Sequence, residues 1–124
     1  MNRKRFTVDD HLLGTDPLIR SFYERFVNLV EACGTFEYVV GKDGIAFKGV
    51  RRNFAVAKPK AHSLDGVLVL QRRLEDPRIR TAQVYTKQLF GNRFRVTALD
   101  QLDEEFANWI QEAYHVGEGK HLAA

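Results

Sequence analysis

Apolar residues recur at helical spacing towards both ends of the chain and alternate with polar ones between, which predicts helices flanking a sheet. Thr7-Val-Asp-Asp10 has the form of a capping box with Asp in place of Glu, so a short helix is expected over residues 8–13, ending at Gly14. Asp16 supplies a second N-cap, with Pro17 at the first helical position where its missing N–H does no harm. Ile19, Phe22, Tyr23, Phe26, Val30 and Cys33 then form one apolar stripe, Arg20, Glu24, Asn28 and Glu31 take the other side, and Gly34 closes the helix.

The period then changes to two. Phe36, Tyr38 and Val40 share a face of a first strand, Gly41-Lys-Asp-Gly44 is turn chemistry, and Ile45 and Phe47 continue the inward face of a second strand. Phe54 and Val56 are expected inward on a third strand ended by Pro59. Val67 to Leu70 is apolar on both faces and should be central. Thr81 to Leu89 predicts a fifth strand with Val84 and Tyr85 as core candidates. Gly91-Asn92 punctuates, and Phe94 and Val96 point inward on a short sixth strand. Connections this short leave no room for helical crossovers, so the strands should be antiparallel. Thr97-x-x-Asp100 is a further cap signal, and Leu99, Leu102, Phe106, Trp109, Ile110 and Ala113 form the stripe of a closing helix reaching about Tyr114. The expected fold is α+β: an antiparallel sheet of five or six strands with two N-terminal helices and one C-terminal helix packed on it. One domain should occupy residues 1–116, with a disordered tail over residues 117–124.

Composition changes this picture little. A chain of 124 residues, 44% apolar and 28% charged, is an ordinary single globular domain, and no apolar run approaches a membrane helix. The basic opening MNRKRF leads into two acids and too short an apolar run for a signal peptide, so a cytoplasmic location is expected. The single Cys33 excludes an internal disulfide.

Charge is more informative. The net of +3 divides into a body of net +8 over residues 1–97 and an acidic segment with six acids and one base after it. Between residues 48 and 80, nine cations face only Asp65, Glu75 and Asp76. On a strand with Phe47 inward, Lys48 leaves by the opposite face, and Arg93 and Arg95 extend the same solvent side. Such a face can follow a phosphate backbone or hold a smaller anion. A solvated basic face that guards sheet edges against aggregation is the competing reading.

Several segments carry a resemblance. GIAFK and RRNFA in strands two and three, the LEDPR loop at residues 74–78, FGNRFRV at 90–96 and DQLDEEFANWIQEAY at 100–114 follow one another in an order that resembles the domain of unknown function 5655 family. The opening FTVDDHLLG is similar to that family's N-terminal segment. The resemblance implies a bacterial helix–helix–sheet–helix domain, found alone or appended to nuclease-like domains and sometimes labelled a predicted transport protein. It supplies no reaction and no catalytic residue.

The remaining candidates are weighed by chemistry. Arg78, fixed behind an acid pair and Pro77, is either an anion ligand or a loop staple bonded to Asp76 or a carbonyl. Cys33 sits at a helix C-terminus, where the dipole opposes a thiolate, and reads as core. His11, His62, His115 and His121 lack metal-ligand spacing, and the acids at 100 and 103–105 suit a helix N-terminus. No metal, cofactor or catalytic residue is expected. The leading expectation is a non-enzymatic binding module whose basic face, through Lys48, Arg51, Arg52, Lys58, Lys60 and Arg78, takes an anionic partner such as nucleic acid. A small-ligand or weakly enzymatic domain with a pocket between helices and sheet is the alternative. A protein-interaction domain, monomeric or dimerising through its acidic helix, is another.

Overall fold

The structure is a computed structural model and describes residues 6–120. Helix α1 spans Val8–Leu12, α2 Pro17–Glu31 and α3 Glu104–Gly117. The strands are β1 Glu37–Val40, β2 Ile45–Lys48, β3 Asn53–Pro59, β4 Leu64–Leu70, β5 Ile79–Thr86 and β6 Leu89–Val96. They form one antiparallel sheet in the order β1-β2-β3-β4-β6-β5. This is the expected α+β class with two N-terminal helices and one C-terminal helix. Among the described residues, no helix is long and apolar enough to cross a membrane.

Local chemistry sets the helices as read. Thr7 and Asp10 exchange side-chain and backbone hydrogen bonds at 3.1 and 2.9 Å, completing the capping box. Asp16 accepts from the Leu18 N–H at 2.8 Å and Pro17 opens α2. Ile19, Phe22, Tyr23, Phe26 and Val30 are buried along one stripe. Phe26 lies at the centre of the core, within 5.4–6.2 Å of the Phe47, Phe94 and Phe106 rings. Each fully buried phenyl contributes roughly 1.5–3 kcal/mol, so this ring cluster does much to hold helices against sheet.

Four expectations are corrected. Val56 is not inward: the register shifts between Phe47 and Lys48, which leaves Phe54 as an extra residue opposite β2. Phe54 turns into the core against Tyr114, Ala55 and Ala57 are buried, and Val56 faces the other side. Val84 and Tyr85 are 60% and 57% exposed, because strand order places β5 at the sheet edge. Gly91-Asn92 is no break but lies within β6, where Asn92 is completely buried. Its amide accepts from the Leu74 N–H at 2.8 Å and donates to the Arg72 carbonyl at 3.1 Å, pinning the 71–78 loop to the sheet. Finally, α3 starts at Glu104 on an Asp103 cap, after a short 3-10 turn at Leu99–Gln101 that leaves Leu99 47% exposed.

The helix also runs past Tyr114. Gly117 belongs to α3, and its carbonyl accepts from the Arg51 and Arg52 N–H groups at 2.8 and 3.2 Å. The Glu118 carboxylate accepts from the Val50 N–H at 2.7 Å. Part of the expected tail therefore clamps the β2–β3 loop; its residues beyond 120 lie outside the described residues. The approach requires glycine, since a Cβ on Gly117 would sit 2.5 Å from Phe54 Cδ1. Gly117→Ala should lower unfolding free energy by about 1–3 kcal/mol, the usual range for overpacking. Urea denaturation checks this, and an unchanged midpoint would show that the contact relaxes without cost.

Candidate functional site

The helices cover one sheet face, through Ile45, Phe47, Ala55, Ala57, Leu64, Leu68, Leu70, Phe94 and Val96. The other face is ordered by register. Lys58, Asp65 and Arg95 form one row across β3, β4 and β6. Ala46, Val56, Val67, Arg93 and Thr81 form the next, from β2 to β5. Val69, Gly91 and Gln83 form a third. The face therefore grades from charged at one end of the strands to apolar at the other.

At the charged end a groove of about 230 Å³ is lined by Lys58, Lys60, Arg80, Arg93 and Arg95 beside the single acid Asp65. Asp65 is paired with Arg95 through two hydrogen bonds of 3.1 Å. Partial burial works against the Asp65 charge, but the bonds from Arg95 and Ser63 prevail and hold its carboxyl below the usual range. At the apolar end a second groove of about 200 Å³ is lined by Ala55, Val56, Val67, Val69, Val84 and Tyr85, among others. Val67 and Arg93 border both grooves.

Edge strand β5 contributes through two register shifts. The extra residues at these points are Arg80 and Tyr85, and each lines one of the grooves. The Arg52 guanidinium carbon lies 5.1 Å from the Tyr85 ring centroid. Strand order puts β4 and β6 between β5 and β3, the strand that Arg52 precedes, so the two long side chains reach towards each other across the open face.

The six expected anion-binding residues do not converge. Lys58 and Lys60 line the basic groove. Arg52 closes over the apolar end, while Arg51 sits beside it in the loop held by Gly117. Lys48 lines a separate groove near β1 with Phe36, Glu37 and Val50, where one acid offsets it. Arg78 lies elsewhere altogether. Sequence reading left Arg80 out of the chosen set and named Arg93 and Arg95 only as an extension. The i, i+2 spacing of Arg93 and Arg95 about inward Phe94 was the available signal; the register shift at Arg80 left none.

Arg78 is the staple. It is 8% exposed, pairs with Asp76, Asp103 and Glu105 at 2.7–2.9 Å, and donates to the Gln101 carbonyl at 2.8 Å. Its guanidinium also lies 4.5 Å from the Trp109 ring. No donor is left for a ligand, since Nε, Nη1 and Nη2 are all engaged within the chain. Three acids at and on α3 are similarly committed: the cap Asp103 and Glu105 to Arg78, and Glu112 to Arg72 at 2.7 Å.

The other candidates stand apart from the open face. Tyr38 is exposed on edge strand β1, His62 is exposed in the β3–β4 turn, and the space between helices and sheet is filled by the Phe26, Phe47, Phe94 and Phe106 rings. Cys33 donates towards the Leu29 carbonyl and burial pushes its thiol up, as for a core cysteine. Among the described residues, no group of three or more His, Cys, Asp and Glu side chains is placed to hold a metal.

Arg78 makes stability pH-dependent. Its hydrogen bond lowers the Asp76 carboxyl; the Phe106 N–H and then Arg78 lower Asp103. Groups with depressed folded-state values stabilise above the normal carboxylate range near pH 4 and lose that contribution as pH falls through it. Arg78→Met should cost about 2–4 kcal/mol at pH 7, towards the lower end of buried-pair losses because Asp103 and Glu105 are half exposed. It should also flatten the decline in melting temperature between pH 5 and about pH 2. Equal slopes in thermal melts of the two proteins would contradict this role.

Comparison with curated proteins and with solved structures returned no match. A protein-family model, described as domain of unknown function 5655, matches residues 8–117, from the start of α1 to the end of α3. Over nearly its whole length, the chain belongs to that family.

Proposed function

We propose that this protein is a non-enzymatic binding module whose open, grooved sheet face takes an anionic partner, nucleic acid foremost. The observation that carries the reading is the groove at its charged end, where Asp65 pairs with Arg95 and leaves four cations, Lys58, Lys60, Arg80 and Arg93, without an acid among its lining. Its cations come from three strands and the β3–β4 turn and are distributed along the face. That layout suits an extended phosphate backbone better than one small anion. Two facts favour this over docking between acidic helix and basic face of a second copy: Asp103, Glu105 and Glu112 are paired within their own chain, and the groove is not covered by them. The setting that fits such a partner is the cytoplasm.

The contributing residues are Lys58, Lys60, Arg80 and Arg93, with Arg95 shared with Asp65 and Arg52 at the far end. Lys48 and Arg78 are outside this set. Four phosphate contacts should give a plot of log affinity against log salt with a slope of about −3, at roughly −0.7 per contact for a single strand. Fluorescence anisotropy of labelled oligonucleotides, single- and double-stranded, measures this. Arg93→Glu should weaken binding at least severalfold and bring the slope about one unit closer to zero. Absence of binding at low salt, or unchanged affinity in the variant, would overturn the reading.

A further inference from the structure

We infer that the nucleic acid taken by this face is single-stranded, with a base held against Tyr85 at the apolar end. The inference rests on the reading above and adds the strand form and the second half of the site. A phosphate backbone accounts for the basic groove but gives no reason for what adjoins it. Val56 and Val67, both half-buried, make a floor continuous with Arg93, and Tyr85 stands beside that floor 57% exposed. From Val67 back to Asp65 is two residues of strand, roughly 7 Å, so one short strand can touch both halves at once. A duplex keeps its base faces stacked inside and offers phosphate along its whole outside. On this face it would leave the apolar half in contact with sugar and charge. A single strand offers both chemistries together: phosphates for Lys58, Arg80 and Arg93, and unstacked bases for the valine floor and ring.

Arg52 completes the slot. Its guanidinium lies over Tyr85, and planar guanidinium groups stack on bases as aromatic rings do. Strand order puts Tyr85 on an edge strand and the register shift leaves it an extra residue, so neither the core nor sheet pairing requires it. Any of the four bases presents a π-face, so no sequence preference is implied.

The test compares three probes on the intact protein by anisotropy and competition: a 12-nucleotide single strand, a hairpin duplex of the same sequence, and inorganic polyphosphate as a base-free polyanion. The single strand should bind tightest. Tyr85→Ala should weaken it about 5- to 150-fold, the loss of one stacked base. Duplex and polyphosphate binding should change less than twofold, and Tyr85→Phe should retain single-strand affinity. Tyr85 is exposed, so thermal melts should show both variants folded. Equal affinity for single strand and duplex, or a Tyr85→Ala variant that binds the single strand as well as the parent, overturns this inference and leaves phosphate recognition standing. Failure of all three probes to bind at low salt overturns both readings together.

Discussion

Three helices on one side of six strands leave the other side to water, and the rest of the molecule follows from that imbalance. The covered face is packed by rings and branched aliphatics at close to zero exposure, with Phe26 of α2 central among Phe47, Phe94 and Phe106. The uncovered face must be soluble, and β3, β4 and β6 accordingly place Lys58, Asp65, Arg93 and Arg95 outward between inward apolar residues. It is not uniformly polar, however. Val56 and Val67 keep an apolar strip on it, while Val69 beside them is buried with Leu89 and Val116, and Arg52 meets Tyr85 across the face. A uniformly lysine-studded face would serve solubility equally well, so solubility alone does not account for the apolar strip.

Arg78 shows why local charge content is a poor guide to which cations are available. It joins the loop before β5 to the 3-10 turn and the first turn of α3, and its three carboxylate partners come from residues 76, 103 and 105. The pairing is both electrostatic and steric, because the guanidinium is also laid on Trp109. The same network engages two acids of the C-terminal segment, Asp103 and Glu105, and Glu112 pairs separately with Arg72. These three hold the helix to the loop before β5.

The clamp between α3 and the β2–β3 loop is of a different kind. It is made by backbone groups, with Gly117 supplying its carbonyl to two successive N–H groups and Glu118 a carboxylate to a third. That clamp fixes the loop carrying Arg51 and Arg52, and with it the position from which Arg52 reaches Tyr85.

The sequence by itself determined the helices, the antiparallel sheet and which face of α2 is buried, because caps, prolines and hydrophobic period act over a few residues. It also placed Phe47, Phe94 and Val96 inward and Lys48 and Arg95 outward, since alternation is a local property of a regular strand. Tertiary structure decided whatever depended on register and strand order. A single extra residue at Phe54 reversed Val56, and two in β5 brought Arg80 and Tyr85 to the grooves. Strand order made β5 an edge, so Val84 and Tyr85 lost the cover their apolarity implied. Bulges and sheet order arise from pairing between segments distant in the chain, and no local period records them. For that reason the outward alternation of Arg93 and Arg95 was legible in advance, while the two grooves that meet at Val67 and Arg93 exist only in the folded sheet.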